Sequence, residues 1–179
     1  MRLSGGALRS RRVAVPRGAE IRPTPGRVRE ALFSIIGTRV NGARVLDVYA
    51  GTGIVGFEAL SRGAAHVTFI EARQRTAAQI RALAAELGVS ERVWVLAVSA
   101  ERAPALLHEP YDIVYADPPY ARGLPAGLFA RLRLRGVIDT KTLVIYEHRA
   151  AAPMLPEGMR SLRLARYGDV ALSFMQPDG

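Results

Sequence analysis

Four consecutive residues, Asp117-Pro118-Pro119-Tyr120, have the types and spacing best suited to chemistry. They follow the apolar run 111–116, which is typical of a buried strand. Two adjacent prolines fix φ and remove two backbone donors, so we expect a rigid shelf at the carboxyl edge of a sheet, where open α/β sheets bind ligands. Asp117 and a shelf carbonyl would accept hydrogen bonds from an exocyclic amine, and Tyr120 would stack on a planar base. An ordinary Pro-Pro turn is the alternative interpretation of these four residues alone.

A glycine-rich loop upstream predicts a nucleoside cofactor beside this shelf. Residues 43–49 predict a buried strand, which leads into the loop 50–56, a helix and a second strand at 65–70. Gly51, Gly53 and Gly56 match the dinucleotide-binding fingerprint, and Glu71 follows Gly51 by 20 residues. The glycines would let the backbone approach the ligand, and Glu71 would bind ribose hydroxyls.

Three observations favour S-adenosylmethionine over NAD as the cofactor. Asp47 lies four residues before Gly51, where it would reach the amino-acid or ribose part of a ligand or orient the loop. A dehydrogenase needs a substrate domain with a proton donor, and little chain remains for one. The shelf suits amine chemistry, and no hydride acceptor site is evident. An NAD-dependent oxidoreductase and a nucleic-acid-binding module without catalysis remain the alternatives.

The rest of the chain predicts a doubly wound α/β domain that positions these residues. Thr24 and Pro25 predict the start of a first helix that Gly37 ends. The other predicted elements are helices at 73–87, 101–107 (opened by Ser99-Ala100) and 126–134, and strands at 92–97, 111–116, 142–147, 161–166 and 170–174. We expect residues 1–20 to form a basic arm or hairpin, residues 21–179 the catalytic domain, and residues 176–179 to fray.

The composition excludes several function classes. With 179 residues and 49% hydrophobic content the chain is long enough for one globular core. It has no apolar run near the length of a transmembrane helix and no signal-peptide h-region, so we expect a cytoplasmic protein. It has no cysteine, which excludes disulfides, cysteine-ligated metals and methyl transfer through a cysteine adduct. Its three histidines lack metal-ligand spacing, so we expect no metal.

The charge predicts a polyanionic partner. The net charge is +9, and residues 1–30 hold eight arginines against two acids. Three of these arginines gather at the start of the first helix, the unfavourable end for a cation, which suggests an anionic ligand there. The candidate RNA-binding residues are Arg9, Arg11, Arg12, Arg22, Arg27 and Arg29. A solvated tail and a solvated helix face are the alternatives for this region.

Several motifs together resemble the bacterial 16S rRNA guanine-N2 methyltransferase family, RsmD. The run 22–33 is similar to its RPTxxRVRExLF signature, and 45–53 with 56–63 to its cofactor loop and following helix. Asp117-Pro118-Pro119-Tyr120 resembles its catalytic motif, and residues 167–169 its C-terminal turn. The chain departs from the family pattern at Gly26, where members usually have Asp, and at Ser99, where Asn or Asp commonly meets the adenine of the cofactor.

The resemblance implies a Rossmann-like class I methyltransferase with a seven-stranded, mostly parallel sheet, helices on both faces, an antiparallel last strand and an N-terminal hairpin that helps hold the RNA. It implies methylation of the N2 amine of a guanine, of the guanine-966 type, in 16S rRNA of the assembling small ribosomal subunit, by a monomer that uses S-adenosylmethionine and no metal. DNA adenine-N6 methylation is the second candidate. The expected cofactor-binding residues are Asp47, Tyr49, Gly51, Thr52, Gly53, Glu71, Ala72, Ser99, Ala100 and Asp117.

Overall fold

The structure, a computed structural model, describes residues 1–14, 25–119, 123–151 and 155–179. The helices are α1 (Gly26–Ile36), α2 (Ile54–Ser61), α3 (Gln74–Glu86) and α4 (Leu128–Leu134). The strands are β1 (Arg44–Val48), β2 (His66–Ile70), β3 (Val93–Leu96), β4 (Ile113–Ala116), β5 (Leu143–Arg149), β6 (Met159–Tyr167) and β7 (Val170–Pro177). None of the helices in the described part of the chain has the length and apolar run to cross a membrane.

The seven strands form one sheet in the order β3-β2-β1-β4-β5-β7-β6. The first five strands in this order are parallel, β7 is antiparallel to β5, and β6 is antiparallel to β7. The predicted class I methyltransferase fold, with its antiparallel last strand, is confirmed. The order in which successive strands are added reverses between β1 and β4, which makes this the switch point at which open α/β sheets bind ligands.

The strand register lines up the carboxyl ends of five strands. The last paired row across the sheet is Leu96, Ile70, Val48, Ala116 and Tyr146. The residues that follow this row are Ala97, Glu71, Tyr49, Asp117 and Glu147. The sheet therefore brings the predicted cofactor acid and the predicted catalytic acid to the same edge.

Two apolar clusters cover the two faces of the sheet. Helices α1, α2 and α3 pack on one face, and α4 packs on the other, which explains why the parallel strands are continuously apolar. The contact between α2 and β2 depends on Gly56, because a Cβ there would lie 2.2 Å from the ring of Phe69. Close helix–strand packing is the role expected of the third glycine in the loop.

Three local predictions need correction. Residues 101–107 form no α-helix, only a 3-10 turn at Ala103–Ala105, because Pro104 lacks a backbone N–H and interrupts helical hydrogen bonding. Helix α1 begins at Gly26 with Pro25 at the N-cap, one residue later than predicted, and Thr24 lies outside the described residues. Gln176 does not fray, since β7 continues to Pro177 and Gln176 is buried.

The first 14 residues form a short antiparallel hairpin, here called the N-terminal hairpin. Arg2 and Arg12 form an antiparallel bridge, and the amide of Val13 donates to the carbonyl of Met1 at 2.9 Å. Leu3 and Val13 are only 2% and 1% exposed and belong to the core cluster. The hairpin is therefore packed against the domain, and the remainder of the predicted arm, residues 15–20, lies outside the described residues.

Candidate active site at the carboxyl edge of the sheet

The loop between β1 and α2 turns sharply at Tyr49, Gly51 and Gly53, all of which have positive φ. The amide of Gly53 donates to the carbonyl of Ala50 at 2.7 Å, and the amide of Ala50 donates to the carbonyl of Ile70 at 2.9 Å. Tyr49 has φ 67°, a conformation that is uncommon for a bulky residue and costs free energy. Such strain is typical of functional loops.

Glu71 holds this loop from the end of β2. Its Oε2 accepts a hydrogen bond from the amide of Gly51 at 2.9 Å, and its Oε1 accepts one from the amide of Arg73 at 2.8 Å. Glu71 is 9% exposed, and the neighbouring Ala72 is exposed. Each carboxylate oxygen has a second lone pair, so Glu71 retains the capacity to accept ribose hydroxyls as predicted.

Asp47 is buried beneath the loop, with 1% of its surface exposed. Its Oδ2 accepts a hydrogen bond from the amide of Gly56 at 3.0 Å. Burial raises the pKa of Asp47 to about 7, because its effect outweighs that of the Gly56 hydrogen bond, which lowers the pKa, and the negative charge of Glu71 adds a smaller increase. Among the roles predicted for Asp47, this contact matches that of orienting the loop and the first turn of α2 that follows it.

The turn after β3 forms the third side of this region. The carbonyl of Ser99 accepts hydrogen bonds from the amides of Arg102 and Ala103, each at 3.1 Å. Ser99 is half-buried, Ala100 is buried, and Thr52 in the glycine loop is 7% exposed. The predicted cofactor residues from β1, β2 and β3 thus lie on one side of Asp117, as the strand order requires.

The shelf begins directly after β4. The amide of Asp117 donates to the carbonyl of Val48 at 3.4 Å, and the carbonyl of Pro119 accepts from the amide of Gly123 at 3.1 Å. Asp117 is half-buried, Pro118 is buried and Pro119 is exposed. The shelf therefore lies against the cofactor loop and opens to solvent at Pro119, whereas Tyr120 lies outside the described residues.

Two tyrosines, Tyr49 and Tyr146, flank Asp117, and sequence analysis did not include Tyr146 among the site residues. Tyr146 lies beside Ala116 in the last paired row, and burial together with the charge of Asp117 raises its pKa. Tyr49, predicted to contact the cofactor, has its pKa raised by burial and by the charges of Glu101 and Tyr146. The signal for Tyr146 was its place at the end of an otherwise apolar strand, level with the end of β4.

A second tyrosine–acid pair lies on the opposite face of the sheet at the same edge. The hydroxyl of Tyr115 donates to Oε2 of Glu147 at 2.5 Å, and both residues are 3% exposed. The pair follows from the register, because Tyr115 lies beside Ile145, two residues before Glu147. A buried carboxylate requires such a partner, and this one ties the end of β5 to β4 just below the shelf.

Glu58 in α2 is the largest feature that sequence analysis missed. It is fully buried and accepts hydrogen bonds from the amide and hydroxyl of Ser4, the amide of Gly5, and the guanidinium groups of Arg29 and Arg62. Burial alone would raise the pKa of Glu58, but the bonds from Ser4 and Arg62 outweigh it and lower that pKa. Glu58 thereby ties the N-terminal hairpin to α1 and α2.

The assignment of Arg29 to RNA binding is wrong. Arg29 is 4% exposed, its Nε lies 3.3 Å from Oε2 of Glu58, and its Nη2 donates to the carbonyl of Arg2 at 2.8 Å. The periodicity gave a signal, because Arg29 shares the helical spacing of Leu32, Phe33 and Ile36, which are buried on α1. An arginine in phase with the apolar stripe faces the core and needs a buried acid.

The other predicted RNA-binding arginines that the structure describes are on the surface. They are Arg9, Arg11, Arg12 and Arg27. Nη2 of Arg11 donates to the carbonyl of Glu86 at 3.3 Å, which attaches the N-terminal hairpin to α3. Arg22 lies outside the described residues. Within the described ranges no group of three or more histidines and acids is arranged to hold a metal ion.

Comparison with known proteins gives consistent relatives along the whole chain. Residues 1–176 match the family model described as "Conserved hypothetical protein 95". Ribosomal RNA small subunit methyltransferase D of Escherichia coli K12 is 34% identical over 181 residues, covering 98% of this chain and 89% of the relative. The Haemophilus influenzae protein of the same name is 29% identical, covering 98% of this chain and 93% of the relative. The solved structure of yhhF from Escherichia coli aligns with a TM-score of 0.87 at 33% identity, covering 99% of this chain and 98% of that one.

Proposed function

Because the chain belongs to the ribosomal RNA small subunit methyltransferase D family, we propose that it methylates RNA of the small ribosomal subunit with S-adenosylmethionine. In the finer form of the proposal, the acceptor is the N2 amine of a guanine in 16S rRNA. One observation carries it: Asp117 is hydrogen-bonded to Val48 at the start of the glycine loop, and Glu71 is hydrogen-bonded to Gly51 within that loop.

The loop fits an adenosyl cofactor by its chemistry. Positive φ at Gly51 and Gly53 exposes backbone that a ligand can approach closely. Glu71 supplies a carboxylate for ribose hydroxyls, while Ser99 or the backbone of Ala100 would meet the adenine. When bound, S-adenosylmethionine supplies a methyl group activated by the adjacent sulfonium. The half-buried position of Asp117 then leaves its carboxylate at the border between cofactor and acceptor.

The shelf would activate a weak nucleophile. The lone pair of the guanine N2 amine is delocalised into the ring, so the amine attacks poorly unless its nitrogen becomes pyramidal. Asp117 and the carbonyl of Pro118 would accept the two amine hydrogens and favour that geometry. As the new N–C bond forms, the bond from the methyl group to sulfur would break and S-adenosylhomocysteine would be the leaving group. The extra proton on nitrogen would pass to the Asp117 carboxylate or to water beside it, and that carboxylate would lower the cost of the positive charge that develops on nitrogen.

Alignment would supply most of the rate. Holding two reactants in an attack geometry is worth about 7–11 kcal/mol, and two adjacent prolines keep the shelf in one conformation without help from hydrogen bonds. The target base must leave its stack to reach the shelf. Stacking on Tyr120 would offset part of that cost, by about 1–3 kcal/mol per base.

The exposed arginines of the N-terminal hairpin would hold the RNA backbone. Arg9, Arg11 and Arg12 are all exposed, and phosphate contacts provide affinity and orientation but little sequence information. Because phosphate contacts alone do not read sequence, the domain would take its specificity from the folded shape of its substrate. This favours structured rRNA over short unstructured strands.

The test offers purified small subunits, naked 16S rRNA and duplex DNA in parallel, each with labelled S-adenosylmethionine. We expect label in N2-methylguanine from the ribosomal substrates, measured by mass spectrometry of the nucleosides. Asp117→Ala serves as the matched inactive protein in every arm. Label in N6-methyladenine of DNA, with none in RNA, would contradict the proposal and assign the same chemistry to another polymer.

A further inference from the structure

The far edge of the sheet carries a basic and partly apolar surface that the proposed reaction does not use. Strand β6 is the last strand of the sheet, so its outer side pairs with no other strand in the described part of the chain. Its nine residues include three arginines and no acid. We call five exposed residues of this strand the β6 surface: Arg160, Leu162, Arg163, Leu164 and Arg166.

The register places the carboxyl end of the β6 surface at the same edge as the shelf. Strand β6 is antiparallel to β7 and β7 is antiparallel to β5, so β6 runs in the direction of β4. The row at the end of β4 continues through Ala116, Tyr146, Ser173 and Leu164. Arg166 lies two residues beyond this row, level with Pro118, and three strand spacings separate the two strands by about 14 Å.

A bulge gathers two of the arginines on one face. Arg160 lies opposite Gln176 and Arg163 lies opposite Phe174, with the irregularity between Ser161 and Arg163. Residues three apart in a regular strand face opposite sides. The bulge therefore turns Arg163 to the same face as Arg160, and redirecting a side chain in this way is a recognised use of bulges.

The chemistry of the surface selects RNA over a protein segment as its partner. Leu162 and Leu164 are 42% and 39% exposed, which by itself would suit an extended peptide added to the edge. Arginines and a bulge along an edge strand act against such pairing. The same arginines match a phosphate backbone, which supplies most of the affinity in RNA binding through release of counterions.

We propose that the β6 surface binds the phosphodiester backbone of the substrate RNA, on the opposite side of the shelf from the N-terminal hairpin. The hairpin attaches to α2 through the amide of Ala7 and the carbonyl of Ser61, at 2.7 Å, and thus belongs to the cofactor half. With one contact on each side, the RNA is fixed in orientation and the target base is presented to Asp117. This inference rests on the proposed function.

The experiment compares two variants that each remove two positive charges. Arg163→Gln/Arg166→Gln alters the two arginines of the β6 surface nearest the shelf, which lie on opposite faces of the edge strand. Arg39→Gln/Lys141→Gln is the matched control, because these exposed residues line a cavity of about 300 Å³ at the opposite edge of the sheet. Binding of a 16S rRNA transcript is measured against salt concentration, and the thermal midpoint of each variant confirms folding.

We expect the β6 variant to flatten the slope of log K against log salt by about 1.4–1.8, at roughly 0.7–0.9 per phosphate contact. Taking 1 M salt as the reference, this change weakens binding at 0.15 M on the order of tenfold. The RNA concentration that gives half-maximal methylation should rise in step with the weaker binding. The control variant should keep both the wild-type slope and the wild-type affinity.

An unchanged slope in the β6 variant, or an equal change in the control, would overturn the inference. Weaker binding to protein-bearing small subunits with unchanged binding to naked rRNA would also overturn it, because the partner would then be a ribosomal protein. The wild-type arm separates the two proposals. If the wild type methylates no RNA, the proposed function fails, whereas normal wild-type activity with an unaffected variant defeats only the β6 surface.

Discussion

The two halves of the sheet's carboxyl edge are built in different ways. On the cofactor half, carboxylates bind backbone amides: Asp47 holds Gly56 and Glu71 holds Gly51. On the acceptor half, the shelf owes its rigidity mainly to covalent structure, since Pro118 and Pro119 fix two φ angles. The side chain beside it on the next strand is Tyr146, not an acid bound to a loop.

Under the proposed function, this difference reflects what each half would bind. A small cofactor with many polar atoms needs a cradle whose donors and acceptors are fixed before binding. A base that leaves its RNA helix and returns needs an open site with stiff walls, and Pro119 at the shelf is exposed. The separation implies that single substitutions should affect one half and spare the other.

The largest expected effect is the loss of chemistry in Asp117→Ala. Removing one preorganised polar group at a reacting centre costs about 10²–10³ in rate, and we expect at least the upper end because Asp117 would also offset developing charge. Affinity for S-adenosylhomocysteine, measured by calorimetry, should stay within a few-fold of wild type. The methylation rate of Asp117→Asn, which keeps an acceptor oxygen but loses the charge, should fall between those of the wild type and Asp117→Ala. Equal losses of rate and cofactor affinity would show that the two halves are not separable.

Sequence analysis predicted the elements of the cofactor half correctly because their information is local. Strand, glycine loop, helix and second strand follow one another within residues 43–71, so their spacing alone predicts this part of the fold. It failed where the partners are distant, since Glu58 binds Ser4 and Arg29, which are 54 and 29 residues away. A count of arginines likewise could not separate buried Arg29 from exposed Arg27, although its phase with the apolar stripe of α1 could have done so.

A change at Glu58 should damage both halves together, because it acts on the fold beneath them. Removing one partner of a buried ion pair costs about 3–5 kcal/mol, and Glu58→Ala would leave Arg29 buried without its acid. Urea unfolding should show a loss of this size in the free energy of unfolding. Glu91→Ala, a change at an exposed acid, is the control and should have little effect. A loss below 1 kcal/mol in Glu58→Ala would remove Glu58 from its structural role.

The burial of Asp47 beneath the cofactor loop should make the stability of the folded protein depend on pH. Its pKa is raised from 3.8 to about 7 in the folded protein. Between these values the folded state keeps a proton that the unfolded state loses, so stability falls as the pH rises. The slope of about 1.4 kcal/mol per pH unit gives a decline of about 2–3 kcal/mol from pH 5 to 7.

A comparison of the wild type with Asp47→Asn isolates the contribution of Asp47, because His66 contributes equally to the pH dependence of both proteins. Urea unfolding at pH 5 and pH 7.5 should give the wild type a larger decline than Asp47→Asn. Glu58 does not interfere, since its folded pKa lies below the usual 4.5 and its contribution to stability is lost only at more acid pH. Parallel pH profiles for wild type and Asp47→Asn would mean that Asp47 is charged throughout the range.

The smallest and sharpest test of the comparison is Glu71→Ala. A hydrogen bond to a charged group is worth about 1.5–3 kcal/mol, so S-adenosylhomocysteine should bind about 10–150-fold more weakly, measured by calorimetry. The rate at saturating cofactor should change much less than in Asp117→Ala.

Glu71→Gln shows which interaction of Glu71 matters. Its side-chain amide retains one acceptor oxygen, but its NH2 group would face one of the two backbone N–H groups that now donate hydrogen bonds to Glu71. If the loop contacts matter most, Gln should therefore be nearly as weak as Ala, whereas near-normal binding by Gln would mean that only one oxygen is needed. NAD bound to the wild type more tightly than S-adenosylhomocysteine would contradict the cofactor itself, since the same acid and glycines would then serve a dinucleotide.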